Sequence, residues 1–308
     1  MQAEYVIIQA GGKGTRLQHL TKNKPKALVS IKNLPMIFHA FKKFEGAKFI
    51  IIGDYHYDVL NRYLKAFCPV EYVLVDARGK QGTCAGLNDA IKLIPENKSF
   101  VIMWSDLILS PDFDITSLKE ANYVGIAENF VCRWSFEVKN GASRFIETPS
   151  SENGVAGFFI FKDKQQLKKL DDEGEFVGWL SCQNIDFKPL SLAGTNEYGL
   201  LSVVNSLEPM RCRPFNRLII ENNTITKEGI DQQGLTLAKR EQAWYKFVIN
   251  EKFSNLPKIY SLNPLKMQLV HGNNIYTYTT LTFQQKTKIL IQIVNCLKKL
   301  HKIGSVPS

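Results

Sequence analysis

At 308 residues the chain is long enough for two domains, and 44% hydrophobic with 22% charged residues is an ordinary soluble, globular composition. Its net charge of +10, from 39 Lys and Arg against 29 Asp and Glu, is spread without an arginine-rich tract or finger spacing. That argues against nucleic acid and leaves a solubilising surface or a field that draws phosphate-bearing substrates. Cys68, Cys84, Cys132, Cys182, Cys212 and Cys296 lie far apart with no CxxC pair, which excludes zinc spacing and suits free buried thiols in a reducing compartment. No cleavable leader pattern and no apolar run of membrane-spanning length are present, so a cytoplasmic location without membrane insertion is expected.

In chain order, Tyr5–Ala10 reads as a buried strand that opens into Gly11-Gly12-Lys13-Gly14-Thr15-Arg16-Leu17, with Lys24-Pro25-Lys26-Ala27-Leu28 following. Glycines let backbone approach a polyanion, and lysine and arginine supply charge where a triphosphate is held. Pro35 opens a helix through Met36-Ile37-Phe38, Lys48–Gly53 is a β-branched strand, and Tyr57–Phe67 has helical spacing. Val70–Val75 is expected as a strand, Gly82–Ile94 as a helix, and Phe100–Trp104 as a strand ending at Ser105-Asp106. This alternation predicts an α/β fold, a Rossmann-like mostly parallel sheet with helices on both faces. Ligands of such sheets sit at the carboxyl ends of the strands, where the glycine loop and Asp106 both fall. Short strands at Tyr123–Ala127, Arg133–Val138, Ser143–Glu147 and Val155–Phe161 suggest a β-rich acceptor lid, closed by a helix over Glu197–Ser206.

The character changes near Leu207–Pro214, which places one domain at 1–206 and a second at 207–308. The second reads as a small α+β domain. Phe215–Glu221 and Thr224–Glu228 are strands around an Asn222-Asn223 turn, Thr236–Asn250 is a helix, Lys266–Tyr278 is hairpin-like, and Phe283–Lys302 is an amphipathic helix.

The ordered motifs GGKGTRL, KPKALV, GTCAGL and the strand-end aspartate resemble the sugar-phosphate nucleotidyltransferases, over about residues 4–200. The resemblance implies that a nucleoside triphosphate and a phosphorylated sugar or small alcohol are joined with release of pyrophosphate. It implies a phosphate cradle of Gly11, Gly12, Gly14 and Thr15, Lys13 on the triphosphate, and Arg16 on the leaving pyrophosphate. Lys26 would stand between the α-phosphate and the acceptor phosphate, and Gly82 beside the base. Mg²⁺ would be held by Asp106, with Glu197 as the nearest second carboxylate and Asp186 behind it. The family's Glu-Lys-Pro segment is Glu147-Thr148-Pro149 here, so its lysine is missing; Glu147 and Arg144 are the expected substrate contacts, with Lys139 and Arg133 as other candidates.

Trp134, Phe136, Trp179 and Phe158 either wall an acceptor pocket or belong to the core, and Trp104 is expected to be packing. The partners implied are small molecules, and homo-oligomers are compatible with the family. A phosphocholine cytidylyltransferase and a catalytically weak nucleotide-binding module are the alternatives. The last hundred residues, with Lys227 on a strand and Glu241 on a helix, resemble the N-terminal lobe of choline kinase and aminoglycoside phosphotransferase folds. That fold's catalytic half does not follow, so the chain is expected to be either cut from a longer bifunctional protein or left with a natural remnant kept for packing, and not to phosphorylate by itself.

Overall fold

A computed structural model describes residues 3–32, 34–139, 141–207, 216–272, 275, 278 and 280–303. The chain divides into two compact units, Met1–Leu207 and Glu208–Ser308.

The first unit begins with β1 (Tyr5–Gln9), tight 3-10 turns at Thr15–Thr21 and Lys26–Leu28, a small hairpin of β2 (Ser30–Ile31) and β3 (Leu34–Pro35), and α1 (Met36–Lys43). It continues with β4 (Lys48–Gly53), α2 (Tyr57–Phe67), β5 (Tyr72–Asp76), α3 (Leu87–Lys92), β6 (Phe100–Trp104) and β7 (Leu107–Ile108). Then come β8 (Tyr123–Ala127), β9 (Ser135–Lys139), β10 (Ala142–Ile146), β11 (Gly154–Phe161), α4 (Phe176–Ser181), β12 (Lys188–Ser191), β13 (Asn196–Glu197) and α5 (Leu201–Ser206).

One sheet runs β10-β9-β11-β6-β1-β4-β5, with β8 joined to β11 and β12 to β8. β6, β1, β4 and β5 are parallel, in a register that sets Ile7 beside Ile50 and Ile102. The unbroken apolar runs of these strands follow from burial on both faces. Side chains alternate across the sheet, so Ile7, Ile50 and Ile102 join one core with Leu87, Ala90 and Ile91 of α3 and Phe176 and Leu180 of α4. Val6, Ile8, Ile51 and Met103 join the other, with Ile37 and Phe41 of α1 and Leu60 and Leu64 of α2. Helices therefore cover both faces.

The β-rich stretch is built onto this same sheet: β11 lies antiparallel to β6 and carries β8 and β9 onward. Two expected helices are shorter. Gly82 (φ +85°) and Gly86 (φ +75°) hold left-handed backbone, so α3 starts at Leu87. Glu197 is not helical; β13 pairs with β7, and the helix starts at Leu201. The strand expected from Val70 starts at Tyr72. Cys84 and Cys132 are buried, Cys68 and Cys296 are half-buried and Cys182 is exposed, all as free thiols; Cys212 lies outside the described residues. Among the described residues no helix is long and apolar enough to cross a membrane.

The second unit holds β14 (Asn216–Glu221), β15 (Thr224–Gly229), α6 (Gln232–Asn250), β16 (Ile259–Leu262), β17 (Leu265–Gln268) and α7 (Phe283–Lys302). Its antiparallel sheet runs β14-β15-β17-β16. Asn222 and Asn223 both take positive φ, 47° and 63°, which gives the tight turn its twist. α6 starts four residues before the expected Thr236, because the Asp231 carboxylate accepts from the Gly234 N–H at 2.7 Å. The later hairpin is Ile259–Gln268 rather than Lys266–Tyr278, of which residues 273, 274, 276 and 277 lie outside the described set. Lys227 of β15 meets Glu241 of α6 at 2.7 Å.

Candidate active site

A cleft of about 450 Å³ opens at the carboxyl edge of the parallel strands. β1 delivers Gln9, Gly11, Gly12, Lys13 and Arg16 to it, β4 delivers Asp54, and β6 delivers Trp104, Ser105 and Asp106. This is where a sheet of this kind leaves room, because its helices leave the strand ends in opposite directions.

The glycines of the first loop are required by neighbours that come close. A Cβ on Gly11 would press on Asp54 Cβ at 2.9 Å. Gly14 has φ +61°, and a Cβ there would press on Lys26 Cβ at 3.1 Å and Thr21 Cγ2 at 3.0 Å. Gly14 therefore clears the path along which the Lys26 stem runs to Asp106. Of the expected cradle, Gly11 and Gly12 line the cleft, and Lys13 lines it beside them. Gly14 and Thr15 do not line it: one lies under Lys26 and the other starts a 3-10 turn.

Asp106, Glu197, Lys26 and Arg16 form one charge cluster. The Lys26 ammonium is paired with Asp106 Oδ2, and the two side chains are only 15% and 7% exposed. Arg16 Nη2 reaches Glu197 Oε1 at 3.3 Å. Glu197 is brought there by the β7–β13 pairing and by the Tyr198 N–H, which donates to the Asp106 carbonyl at 3.0 Å. Gly199 completes the cluster. A Cβ on it would overlap Glu197 Oε1 and stand 3.1 Å from Arg16 Nη2 and 3.2 Å from Asp106 Oδ2. Burial works to raise the Asp106 carboxyl, and the Lys26 ammonium and a hydrogen bond from Glu197 outweigh it and hold it below the usual carboxylate range. Burial, then the Asp106 charge, pushes Glu197 up to about 7.

The two acids are hard oxygen donors aimed at one place. Among the described residues no third His, Cys, Asp or Glu joins them in a metal-binding group, which leaves the remaining positions of a cation to phosphate and water oxygens. That donor set fits Mg²⁺.

The opposite wall is a pair of straps. The Cys84 N–H donates to the Gly174 carbonyl at 2.9 Å, and the Gly174 N–H to the Gln81 carbonyl at 2.9 Å. The Phe176 N–H donates to Thr83 Oγ1 at 2.7 Å, and Glu175 caps α4 through the Gly178 N–H at 2.6 Å. Gly82 lines the cleft, and any side chain there would collide with the Gly174 carbonyl, so its glycine character serves both this close approach and its left-handed φ.

The acceptor expectations change. Arg144 is exposed on β10, and neither it nor Glu147 lines the cleft; Arg133 does, with Glu147 behind it as its ion-pair partner. Arg133 follows the Cys132–Ser150 bridge just before β9 and lines the cleft, whereas Arg144 lies on β10, opposite Glu137. Lys139 and Asp186 are exposed and do not line the cleft. Trp134, Phe136, Trp179 and Phe158 are core, while Trp104 lines the cleft with its ring lying on Gly157, which has φ +72° and no room for a Cβ. Asp54, Thr83, Glu175 and Gly199 were not expected. Asp54 directly follows a strand and could have been found by that rule, but a contact across 92 residues (Thr83 with Glu175) leaves no local signal.

The first unit is similar to known proteins in sequence and in fold. Residues 5–126 match the nucleotidyl transferase family. The chain is 24% identical over 183 residues to a CTP:phosphoglutamine cytidylyltransferase of Campylobacter jejuni subsp. jejuni serotype O:2, covering 56% of this chain and 70% of that one. It is 30% identical over 118 residues to that organism's D-glycero-alpha-D-manno-heptose 1-phosphate guanylyltransferase, covering 37% of this chain and only about half, 51%, of the relative. The crystal structure of HddC from Yersinia pseudotuberculosis superposes with a TM-score of 0.55 at 21% identity, over 66% of this chain and 97% of that one. Residues 5–126 therefore resemble the nucleotidyl transferase family, in a unit whose fold is shared with HddC.

Proposed function

We propose that the first unit transfers a nucleotidyl group from a nucleoside triphosphate to a phosphorylated small molecule and releases pyrophosphate. The observation that carries this is the meeting, at one strand edge, of the Gly11-Gly12-Lys13 loop, Arg16, Lys26 and the Asp106–Glu197 pair. In the reaction an oxygen of the acceptor phosphate forms a bond to the α-phosphorus. The bridging α–β bond breaks, and its electron pair leaves with pyrophosphate. No covalent enzyme intermediate is needed, so the residues position two anions and offset the charge that builds.

Lys13 and the backbone of Gly11 and Gly12 hold the β- and γ-phosphates. Lys26 bridges the α-phosphate and the acceptor, and Arg16 faces the leaving group. Asp106 and Glu197 would hold Mg²⁺, which neutralises phosphate charge when bound. The backbone from Gly82 to Thr83 meets the base and ribose. Arg133, the lining cation that comes from the β-rich half, takes the acceptor's anionic group in place of the missing lysine.

The relatives' names give CTP with phosphoglutamine and a heptose 1-phosphate as acceptors, so an activated precursor for surface polysaccharide is the product class we propose, made in the cytoplasm. Trp104 in the cleft wall favours a second acceptor, phosphocholine, whose quaternary ammonium suits an aromatic face. A thermal-shift screen of CTP, GTP, UTP and dTTP with Mg²⁺ identifies the base, because a ligand of the folded state raises the melting temperature. Pyrophosphate release with phosphoglutamine, phosphocholine and sugar 1-phosphates then identifies the acceptor. No stabilisation by any nucleotide would overturn the proposal, and nucleotide binding without turnover would leave a binding module.

For the second unit we propose a kinase N-lobe-like role, supported by the Lys227–Glu241 pair between β15 and α6. ATP hydrolysis by the 308-residue chain is expected to be absent.

A further inference from the structure

The four charges of the cluster are paired crosswise to their proposed duties. Lys26 and Arg16 are the groups that take phosphate oxygens, and Asp106 and Glu197 are the groups that take a divalent cation. In this structure Lys26 is spent on Asp106 and Arg16 on Glu197. The Lys26–Asp106 pair is nearly buried, so water and salt screen it little. The Arg16 side chain is 60% exposed, so it changes partners at less cost. Backbone pairing between β7 and β13 and the bare Cα of Gly199 keep the tips of Arg16, Glu197 and Asp106 within one small volume.

A divalent cation that approaches Asp106 alone meets the Lys26 ammonium, and a polyphosphate that approaches Lys26 alone meets the Asp106 carboxylate. Either ion by itself must break a buried pair and strand one charge without a partner, which costs more than an exposed pair returns. When both arrive, Lys26 and Arg16 turn to phosphate oxygens as Asp106 and Glu197 turn to the cation, and no buried charge is left without a partner. We propose that this quartet is an exchange lock. The free protein takes neither the divalent cation nor the polyphosphate alone with useful affinity, and takes the two together. This rests on the assignment of the cleft under Proposed function and adds to it a coupling between the two ligands. Such coupling is reciprocal: whatever the cation does for the anion, the anion does for the cation.

The test uses Mn²⁺ as the metal probe, followed by electron paramagnetic resonance, and tripolyphosphate in EDTA as the anion probe, followed by calorimetry. Lys26→Met removes the cation that guards the acids and is expected to tighten Mn²⁺ binding by about ten-fold or more, within the usual range of coupling between two sites. Lys80→Met is the control; it removes a cleft cation whose partner is Asp89, 3.0 Å away, and should leave Mn²⁺ affinity within about two-fold. Asp106→Asn is expected to tighten metal-free tripolyphosphate by a similar factor.

Circular dichroism confirms folding in each case, and if Lys26→Met does not fold the Asp106→Asn arm decides alone. Mn²⁺ affinity unchanged in folded Lys26→Met, or tripolyphosphate affinity unchanged in Asp106→Asn, overturns the lock. If these shifts occur and no nucleotide turns over, the lock stands and the reaction assignment fails; turnover without the shifts has the opposite meaning.

Discussion

Replacing Gly199 by alanine separates the cluster from the fold. Gly199 is not among the glycines with positive φ, so alanine costs nothing in backbone strain, and lower entropy of the unfolded chain contributes about 0.4–1 kcal/mol of stability. The new methyl group would overlap Glu197 Oε1, the far end of a flexible side chain, and would crowd Arg16 Nη2 at 3.1 Å and Asp106 Oδ2 at 3.2 Å. The Glu197 carboxylate must retreat by about 1 Å, and a displacement of that size at a reacting centre costs about 10²-fold in rate. The expected outcome is a melting temperature equal to or above wild type, with pyrophosphate release slowed about 10²-fold.

Gly82→Ala is the contrast. Its φ is +85° and its Cβ would run into the Gly174 carbonyl, a backbone atom that cannot swing aside, so the protein itself should lose about 1–3 kcal/mol and melt earlier. Assays are differential scanning fluorimetry and a coupled pyrophosphate assay on both variants. Wild-type turnover in a folded Gly199→Ala protein would refute the placement of the chemistry at Asp106 and Glu197.

Lys26→Ala and Asp106→Asn should each slow turnover by about 10²–10³-fold, the usual loss for one charge-stabilising group, while circular dichroism still shows a folded chain; wild-type rates in both would refute their roles. Arg133→Ala should raise the acceptor KM with the nucleotide KM unchanged, and Arg144→Ala should alter neither. Burial, and then nearby acids, push the Cys84 and Cys132 thiols up to about 12, so both stay protonated as pH rises from 7 to 9 and alkylate slowly across that span. Exposed Cys182 should react before Cys84 and Cys132, by mass spectrometry with iodoacetamide, and modification of Cys84 or Cys132 before Cys182 in native protein would contradict their burial.

Where local chemistry repeats along the chain, the sequence determined the outcome. Apolar runs marked the strands Lys48–Gly53 and Phe100–Trp104, and helical spacing marked Tyr57–Phe67 and Phe283–Lys302, each with the observed bounds. Burial on both faces makes such strands uniformly apolar, and that pattern needs no tertiary knowledge to see. The same holds for the glycine-rich loop and Asp106, because they sit at strand ends, and for Lys26, because it stands within the short Lys24-Pro25-Lys26-Ala27-Leu28 motif.

What only the tertiary structure decided are contacts between segments far apart in the chain. Glu197 was expected in a helix, and its pairing with Leu107 across 90 residues made it a strand instead and brought it to Asp106. Helix 82–94 lost its first turn to two left-handed glycines pinned by Gly174 and Ile52. Arg133 rather than Arg144 faces the cleft, and Trp104 rather than Trp134 lines it. In each case residue type set which chemistry was available. Its location was set by strand register and by how closely two backbones approach, and neither has a signature within a short window of sequence.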